Sequence, residues 1–577
     1  MLKVSNMLGF QRCRLIAAAM LFVALAGCGD DGGDAMVSTA NSHASNAALE
    51  ILNQGGSAVD AAIAAQLVLT LVEPQSSGIG GGAFLMHWNG DDEVVDAYDG
   101  REKAPAAAGP DLFLKSDKTP MGFFDAVVGG RAVGVPGVIA MLWQAHQDHG
   151  ALDWDALFEP AIRLAQNGFK VSPRLNGMIA SDNALTQSDA TKAYFYIESA
   201  EVAGALEPLP VGYLRTNPAY AKTLKRIATL GPAGFYEGEV AEAIVKTVTG
   251  HENAGLMSLD DLKAYDAKKR RAVCRRYRSY KVCGMPPPTS GGLTSLMILG
   301  ILENFNMSAL RPGSPMAVHL ISEASKLAYA DRAIYMADSD FVDVPIDQLL
   351  ARSYLKARAR LIHPGQSMGK AKPGQFATSA TPRQAADLSH GRTSTSHLAV
   401  VDGNGNAVSM TTSVEGPFGS QLMAAGFILN NQLTDFSFQA EIGGKPVANA
   451  VAGGKRPRSS MSPTLVFDAH GDLFAAVGSP GGSRIIGYVT QTLIGLLDWD
   501  LTMQAAIDLP RHVNRNGPIE LEDQTDLTGR VEALEALGHK TALKKLVSGL
   551  HGVRVTDDGL DGGADRRREG AVRRTGN

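Results

Sequence analysis

Cysteine is nearly absent from this chain, with four residues in 577. Two of them, Cys13 and Cys28, lie in the N-terminal segment, leaving Cys274 and Cys283 for the body of the protein. Two thiols are too few ligands for a structural metal site, and no metal is expected. They flank Arg275 to Val282, which reads as two short strands around a turn near Arg278-Ser279. Arms of equal length set the cysteines opposite each other. A cross-strand disulfide is therefore open to them, with two buried thiols as the alternative. A surplus of one charge sign is missing as well. The net charge is −5 with 20% charged residues, a balance that gives no sign of nucleic-acid binding. The basic end, Arg566-Arg567-Arg568 and Arg573-Arg574, reads as a solvated tail. Long apolar runs are lacking too: Leu15 to Ala26 has 12 residues, where a membrane helix needs ~20.

Lys3, Arg12 and Arg14 precede that run, which is the layout of a signal peptide. It ends in Leu25-Ala26-Gly27-Cys28, which resembles a bacterial lipobox. The resemblance implies removal of residues 1–27 and a lipid on the Cys28 thiol. A Gly/Asp-rich tether over 28–35 would then carry an extracytoplasmic, periplasmic body whose only hold on the membrane is the lipid. A plain signal peptide with an incidental cysteine is the alternative.

The body alternates helical and extended signals. Asn41 to Gln54 reads as a helix stopped by Gly55-Gly56, and Ser57-x-x-Asp60 as a capping box for an Ala-rich helix to about Leu71. A glycine loop, Gly78 to Gly82, leads into a strand from Ala83 to Trp88. Residues 135–270 read mostly as helices and loops, and Ser314-Pro315 opens a long helix through Ala330. His363 to Ala385, rich in Pro, Gly, Lys and Ser, reads as an exposed linker. Two hairpins follow. The first runs Leu398–Asp402, Gly403-Asn404-Gly405, Asn406–Val414, and the second Thr464–Phe467, Asp468–Asp472, Leu473–Val477. Strands on both sides of a helical section suit an α/β (α+β) protein in which sheets pack on each other under helices.

Three motifs carry less than they suggest. Gly78-Ile-Gly80-Gly-Gly-Ala83 matches a dinucleotide fingerprint, but the strand follows it where that motif needs a helix, so no cofactor is expected. Gly365-Gln-Ser367-Met-Gly369 sits in the linker and not at a strand-to-helix elbow, so Ser367 reads as a solvated loop residue. His146-x-x-His149 has no companion ligands and reads as a solvated helix face.

Thr395 opens the first hairpin, behind the soft loop Gly391-Arg392-Thr393-Ser394. A threonine hydroxyl needs a base. Cleavage of Ser394–Thr395 would supply one, because the freed α-amine has a reference pKa near ~8. Around it, in one frame, stand Thr395-Ser-His, Thr411-x-Ser413-x-Glu415, Gln432-x-x-Asp435, Ser459-Ser460-Met-Ser462-Pro463 and Gly478-Ser-Pro-Gly481-Gly482. Upstream are Gly55-Gly-Ser-Ala-Val-Asp60, Glu73 to Gly82 and Met285-Pro-Pro-Pro-Thr-Ser-Gly-Gly292. Together they resemble the γ-glutamyltranspeptidases, N-terminal-nucleophile hydrolases, over roughly residues 36 to 566.

The resemblance implies a four-layer αββα sandwich built from two autoprocessed chains, a large subunit over 36–394 and a small catalytic subunit over 395–577. It makes Thr395 the nucleophile, Ser413 its hydroxyl partner, and Gly481 and Gly482 the oxyanion hole. It gives Arg101, Ser459 and Ser460 to a substrate α-carboxylate, and Glu415, Gln432 and Asp435 to an α-ammonium. The expected substrates are glutathione and related γ-glutamyl compounds, with water, amino acids or peptides as acceptors. Ser413 stands where many members have Thr, Glu415 where well-studied ones have Asn, and Ala399 where a hydroxyl residue is usual. The span from Asp435 to Lys455 looks short for a full lid loop. That favours hydrolysis over transfer and leaves room for a glutaryl-type β-lactam acylase, or more distantly an inactive tethered binding protein.

Overall fold

Side-chain parity decides the architecture. In the hairpin after Thr395, Leu398, Val400, Val408 and Met410 join one apolar cluster, while Ala399, Val401 and Ala407 join another. A strand that is apolar on both faces has to be covered on both. The computed structural model, which describes residues 33–376, 384–387 and 394–576, shows how. The signal segment with Cys28, part of the linker, and Gly391 to Thr393 lie outside the described residues.

One sheet contains β1 (Met36–Thr39), β2 (Gly82–Asn89), β3 (Val94–Gly100), β4 (Lys268–Arg271), β7 (Ser396–Val401), β8 (Ala407–Ser413) and β13 (Ala571–Arg574). Its strand order is β13-β1-β7-β8-β2-β3-β4. The second sheet contains β5 (Val273–Tyr277), β6 (Tyr280–Gly284), β9 (Thr464–Phe467), β10 (Leu473–Gly478), β11 (His551–Thr556) and β12 (Gly559–Ala564). Its order is β12-β11-β10-β9-β6-β5, and neighbours in both sheets are antiparallel.

The sheets face each other through β7, β8, β10 and β11. Helices α1 (Ser42–Asn53), α2 (Ala58–Val72) and α3 (Val138–His149) cover the first sheet. Helices α4 (Gly291–Leu302) and α6 (Ile485–Leu497) cover the second, with α5 (Pro315–Tyr335) packed on α4. This is the four-layer αββα arrangement.

Local signals explain most element ends. Ser57 and Asp60 form the expected capping box of α2, a helix buried along its whole length. Ser314 caps α5 through the Ala317 N–H, with Pro315 in the first turn. Cys274 and Cys283 are cross-strand partners of β5 and β6 and are disulfide-bonded.

Three expectations fail. The basic end is not a solvated tail: Ala571–Arg574 pairs with β1 as the sheet's edge strand, and the Arg568 side chain is buried. Two apolar residues, Ala571-Val572, gave too short a strand signal to outweigh five arginines. His149 is half-buried, stacked on His87 and bonded to Asp96, and His146 bonds the Leu152 carbonyl, so neither lies on a free helix face. Ser367 is half-buried and accepts a 2.7 Å hydrogen bond from Lys326 Nζ, which ties the linker to α5.

Candidate active site

Thr395 is held by the loop that follows α2. Its N–H donates to the Ser76 carbonyl at 3.1 Å, and the same carbonyl accepts the Val414 N–H at 3.2 Å. The Ser394 hydroxyl donates to the Gln75 carbonyl, and Ser77 donates to Ser396 at 2.9 Å. The stretch Glu73 to Gly78 is therefore a cradle for the Ser394–Thr395 bond. From the far end of the chain, Arg568 Nη1 donates to the Thr395 carbonyl at 2.9 Å. Thr395 has φ 104°, which a β-branched residue adopts only when its surroundings impose it. Burial and then neighbouring Arg174 lower the Arg568 pKa to about 9, while burial raises that of nearby Glu73.

The hydroxyl chemistry rests on β8. Thr395 Oγ1 lies 3.0 Å from Ser413 Oγ, and Ser413 Oγ accepts the Glu415 N–H at 2.9 Å. With that lone pair taken, the Ser413 proton is free to point at Thr395. Glycine makes room for this arrangement. A Cβ on Gly81 would stand 2.1 Å from the Ser413 carbonyl oxygen, and one on Gly80 2.1 Å from that of Ile428. Close backbone approach, not phosphate binding, explains the glycine loop.

A pocket opens over Thr395, lined by Arg101, Ser413, Glu415, Gln432, Asp435, Ser459, Ser460 and Gly482 among others. Nine of the ten expected catalytic and substrate residues therefore meet at one place. Gly481, the tenth, precedes Gly482 in a turn with φ 133° that leads into α6. Arg101 Nη2 donates to Asp435 Oδ2 at 2.6 Å, and Gln432 Nε2 donates to the same oxygen at 3.0 Å. Arg101 Nε is seated on the Pro457 carbonyl at 3.1 Å. The motif Met285 to Gly292 serves as the bed of the serines. Ser459 N–H donates to the Pro288 carbonyl at 3.1 Å, and Ser290 N–H to the Ser459 carbonyl at 2.9 Å. The span after Asp435 holds a small exposed hairpin, Glu441–Ile442 with Lys445–Pro446.

Sequence reasoning missed several charged groups. Arg332 lines the pocket, donating from Nη2 to Ser460 and from Nε to Ser290, both at 2.8 Å. Burial and then Arg458 lower its pKa to about 9. Arg458, also in the lining, pairs with Asp387 at 2.8 Å. Glu102, beside Arg101, has a pKa raised to about 8 by burial. One signal for Arg332 was available: Asp331-Arg332 interrupts an otherwise Ala-rich stretch of α5 that is buried on nearly every face. His397, by contrast, bonds Thr411 at 2.8 Å, and burial keeps its pKa well below the usual range, so it is a core histidine.

A sequence model of the gamma-glutamyltranspeptidase family matches residues 44–575. The chain is 36% identical over 547 residues to the glutathione hydrolase proenzyme of Escherichia coli K12, covering 92% of this chain and 90% of that one. Among solved structures it resembles Helicobacter pylori gamma-glutamyltranspeptidase. That match has 35% identity and a TM-score of 0.55, covering 59% of this chain and 96% of that one. It also resembles the cephalosporin acylase of Bacillus halodurans at 26% identity and a TM-score of 0.79, covering 94% of this chain and 96% of that one.

Proposed function

The chain belongs to the γ-glutamyltranspeptidase family, and on that premise we propose that it is an autoprocessing hydrolase and transferase of glutathione and related γ-glutamyl amides, with Thr395 as its nucleophile. The observation that carries this is the pair Thr395 Oγ1 and Ser413 Oγ, 3.0 Å apart, beneath a pocket that presents Arg101 and three ammonium acceptors.

In the precursor, Thr395 Oγ adds to the Ser394 carbonyl carbon. The C–N bond breaks as an ester C–O bond forms, the hydroxyl proton passing to the nitrogen to free the Thr395 amine, and water then splits the ester into a Ser394 carboxylate and the regenerated Thr395 hydroxyl. The two products are a large chain, 28–394, and a small chain, 395–577. In the mature enzyme the Thr395 amine takes the proton of its own hydroxyl as Oγ attacks the donor's γ-carbonyl. Ser413 donates to Oγ, and the Gly481 and Gly482 N–H groups face the oxyanion, where losing one donor costs about 2.7–4 kcal/mol. The leaving amine takes the proton, and water or an acceptor amine releases the γ-glutamyl group from Thr395. Arg101 with Ser459 and Ser460 holds the donor's α-carboxylate. Glu415, Gln432 and Asp435 hold its α-ammonium, which replaces Arg101 as the partner of Asp435.

The likeness to a cephalosporin acylase supports a second reading, cleavage of glutaryl-type amides. Such a substrate lacks the ammonium, so it makes no use of the two carboxylates, Glu415 and Asp435, that line the pocket. Hydrolysis of γ-glutamyl and glutaryl anilides, each with and without a dipeptide acceptor, tests the choice. Preference for the glutaryl anilide reverses it. Thr395→Ala is expected to stay a single inactive chain, and two chains from that variant refute the nucleophile. The signal segment supports an extracytoplasmic enzyme lipidated at Cys28; a Cys28→Ala protein that stays with the membrane refutes the anchor.

A further inference from the structure

Away from the pocket, on the outer face of the first sheet, β2 and β3 meet the end of α3. His87 and Asp96 are cross-strand partners there, and His149 is the last residue of α3. One donor atom from each of the three lies within 4.8 Å of the others. His149 Nε2 is 3.0 Å from Asp96 Oδ2, and the His87 and His149 rings stack at 3.8 Å. His87 is 2% exposed, and its Nδ1 has no hydrogen-bond partner. A buried imidazole nitrogen left unsatisfied beside a second imidazole and a carboxylate is a cost that a bound cation would remove.

We propose that His87, Asp96 and His149 form a binding site for one first-row divalent cation of the Zn2+ type. Two imidazoles and one carboxylate are the ligand set such an ion takes, and three protein ligands leave a fourth position for water. Bonds of ~2.0–2.2 Å put ligand atoms ~3.3–3.6 Å apart, so the donor atoms close by ~1 Å or so and one imidazole of the stacked pair turns to aim its in-plane lone pair at the ion.

In this structure Lys269 stands in for the ion. Its ammonium lies 2.9 Å from Asp96 and 3.0 Å from Asp148, on a side chain that is 42% exposed and free to swing outward. A second trio, His319, Glu323 and His539, shows the opposite case. There Lys326 Nζ is 2.7 Å from Glu323 and 3.3 Å from His539, only 2% exposed, with no way out. That cluster carries a permanent ammonium, whereas the first carries a displaceable one. A cation at the first would tie β2, β3 and α3 together, roughly five residues (about 16 Å) along the strands from Gly82 and Arg101.

The test uses the processed full-length protein, stripped with chelator and titrated with ZnCl2 by calorimetry, with metal analysis after dialysis. One Zn2+ per chain is expected, with affinity reduced at least tenfold in His149→Ala and in Asp96→Asn. Lys269→Met keeps every donor and removes the competing charge, so it should bind several-fold more tightly. Zn2+ should raise the Tm of the parent protein and leave that of His149→Ala unchanged. Absence of stoichiometric binding, unchanged affinity in His149→Ala, weaker binding in Lys269→Met, or loss of binding through His539→Ala would each overturn the proposal.

Discussion

Glu415→Gln isolates the ammonium contact from the rest of the site. The substitution keeps the backbone N–H that Ser413 Oγ accepts at 2.9 Å, so the support of Thr395 is unchanged. Residue 415 has φ 79°, and Gln, unbranched at Cβ, tolerates this as Glu does. What disappears is one negative charge in the pocket wall. A hydrogen bond to a charged group contributes about 1.5–3 kcal/mol, which corresponds to roughly one to two decades in kcat/KM. Asp435, which accepts from Arg101 and Gln432, still offers a carboxylate, so the loss is expected to be partial. Steady-state assays with a γ-glutamyl anilide should show that loss. The des-amino glutaryl anilide, having no ammonium, should change little, and processing of the precursor should run at the parent rate. Equal losses on both anilides, or slowed processing, would refute the assignment of Glu415 to the ammonium.

Arg332→Gln removes the guanidinium that turns Ser460, so kcat/KM should fall about tenfold, the cost of one charge-assisted hydrogen bond, mainly through KM. An unchanged KM removes Arg332 from carboxylate binding. Arg568→Gln deletes the donor to the Thr395 carbonyl and should slow precursor cleavage by about tenfold; a parent-like cleavage time course contradicts this. Glu102, with a pKa raised from 4.5 to about 8 by burial, binds its proton more tightly in the native state. Stability should therefore fall as pH rises across that window, by up to ~1.4 kcal/mol per unit. Urea titrations of the uncut Thr395→Ala chain should show that slope and those of its Glu102→Gln derivative should lack it; an unchanged slope assigns it elsewhere.

The sequence was most informative where backbone chemistry and spacing act locally. Ser57 with Asp60, Ser314 with Pro315, and the Gly403-Asn404-Gly405 turn each name their own element, and the structure has them. The pocket residues were also legible, because the family resemblance lays them out in order from Arg101 to Gly482. What stayed hidden depends on distant pairing. Nothing near Ala571 says that it will lie beside Thr39, so Arg568 could not be connected to Thr395. Arg332 was invisible for a related reason: on a helix buried on nearly every side, periodicity gives no inward face. His149 looked solvated because its partners, His87 and Asp96, come from strands more than fifty residues earlier.

The placement of β1 has a consequence for the molecularity of folding. Met36–Thr39 lies between β7 and β13, both from beyond residue 395. In the second sheet β6, from before the cut, pairs with β9, from after it. While the chain is whole, these pairings are intramolecular. On the proposed cut at Ser394–Thr395 they would become contacts between two molecules, and the Cys274–Cys283 bridge would lie wholly within the large chain. Nothing covalent then holds the halves at high effective concentration. Refolding the precursor is first order, whereas regaining the mature enzyme from denaturant is second order and fails on dilution. Its lifetime is then set by the rate of strand separation and not by an equilibrium it can return to.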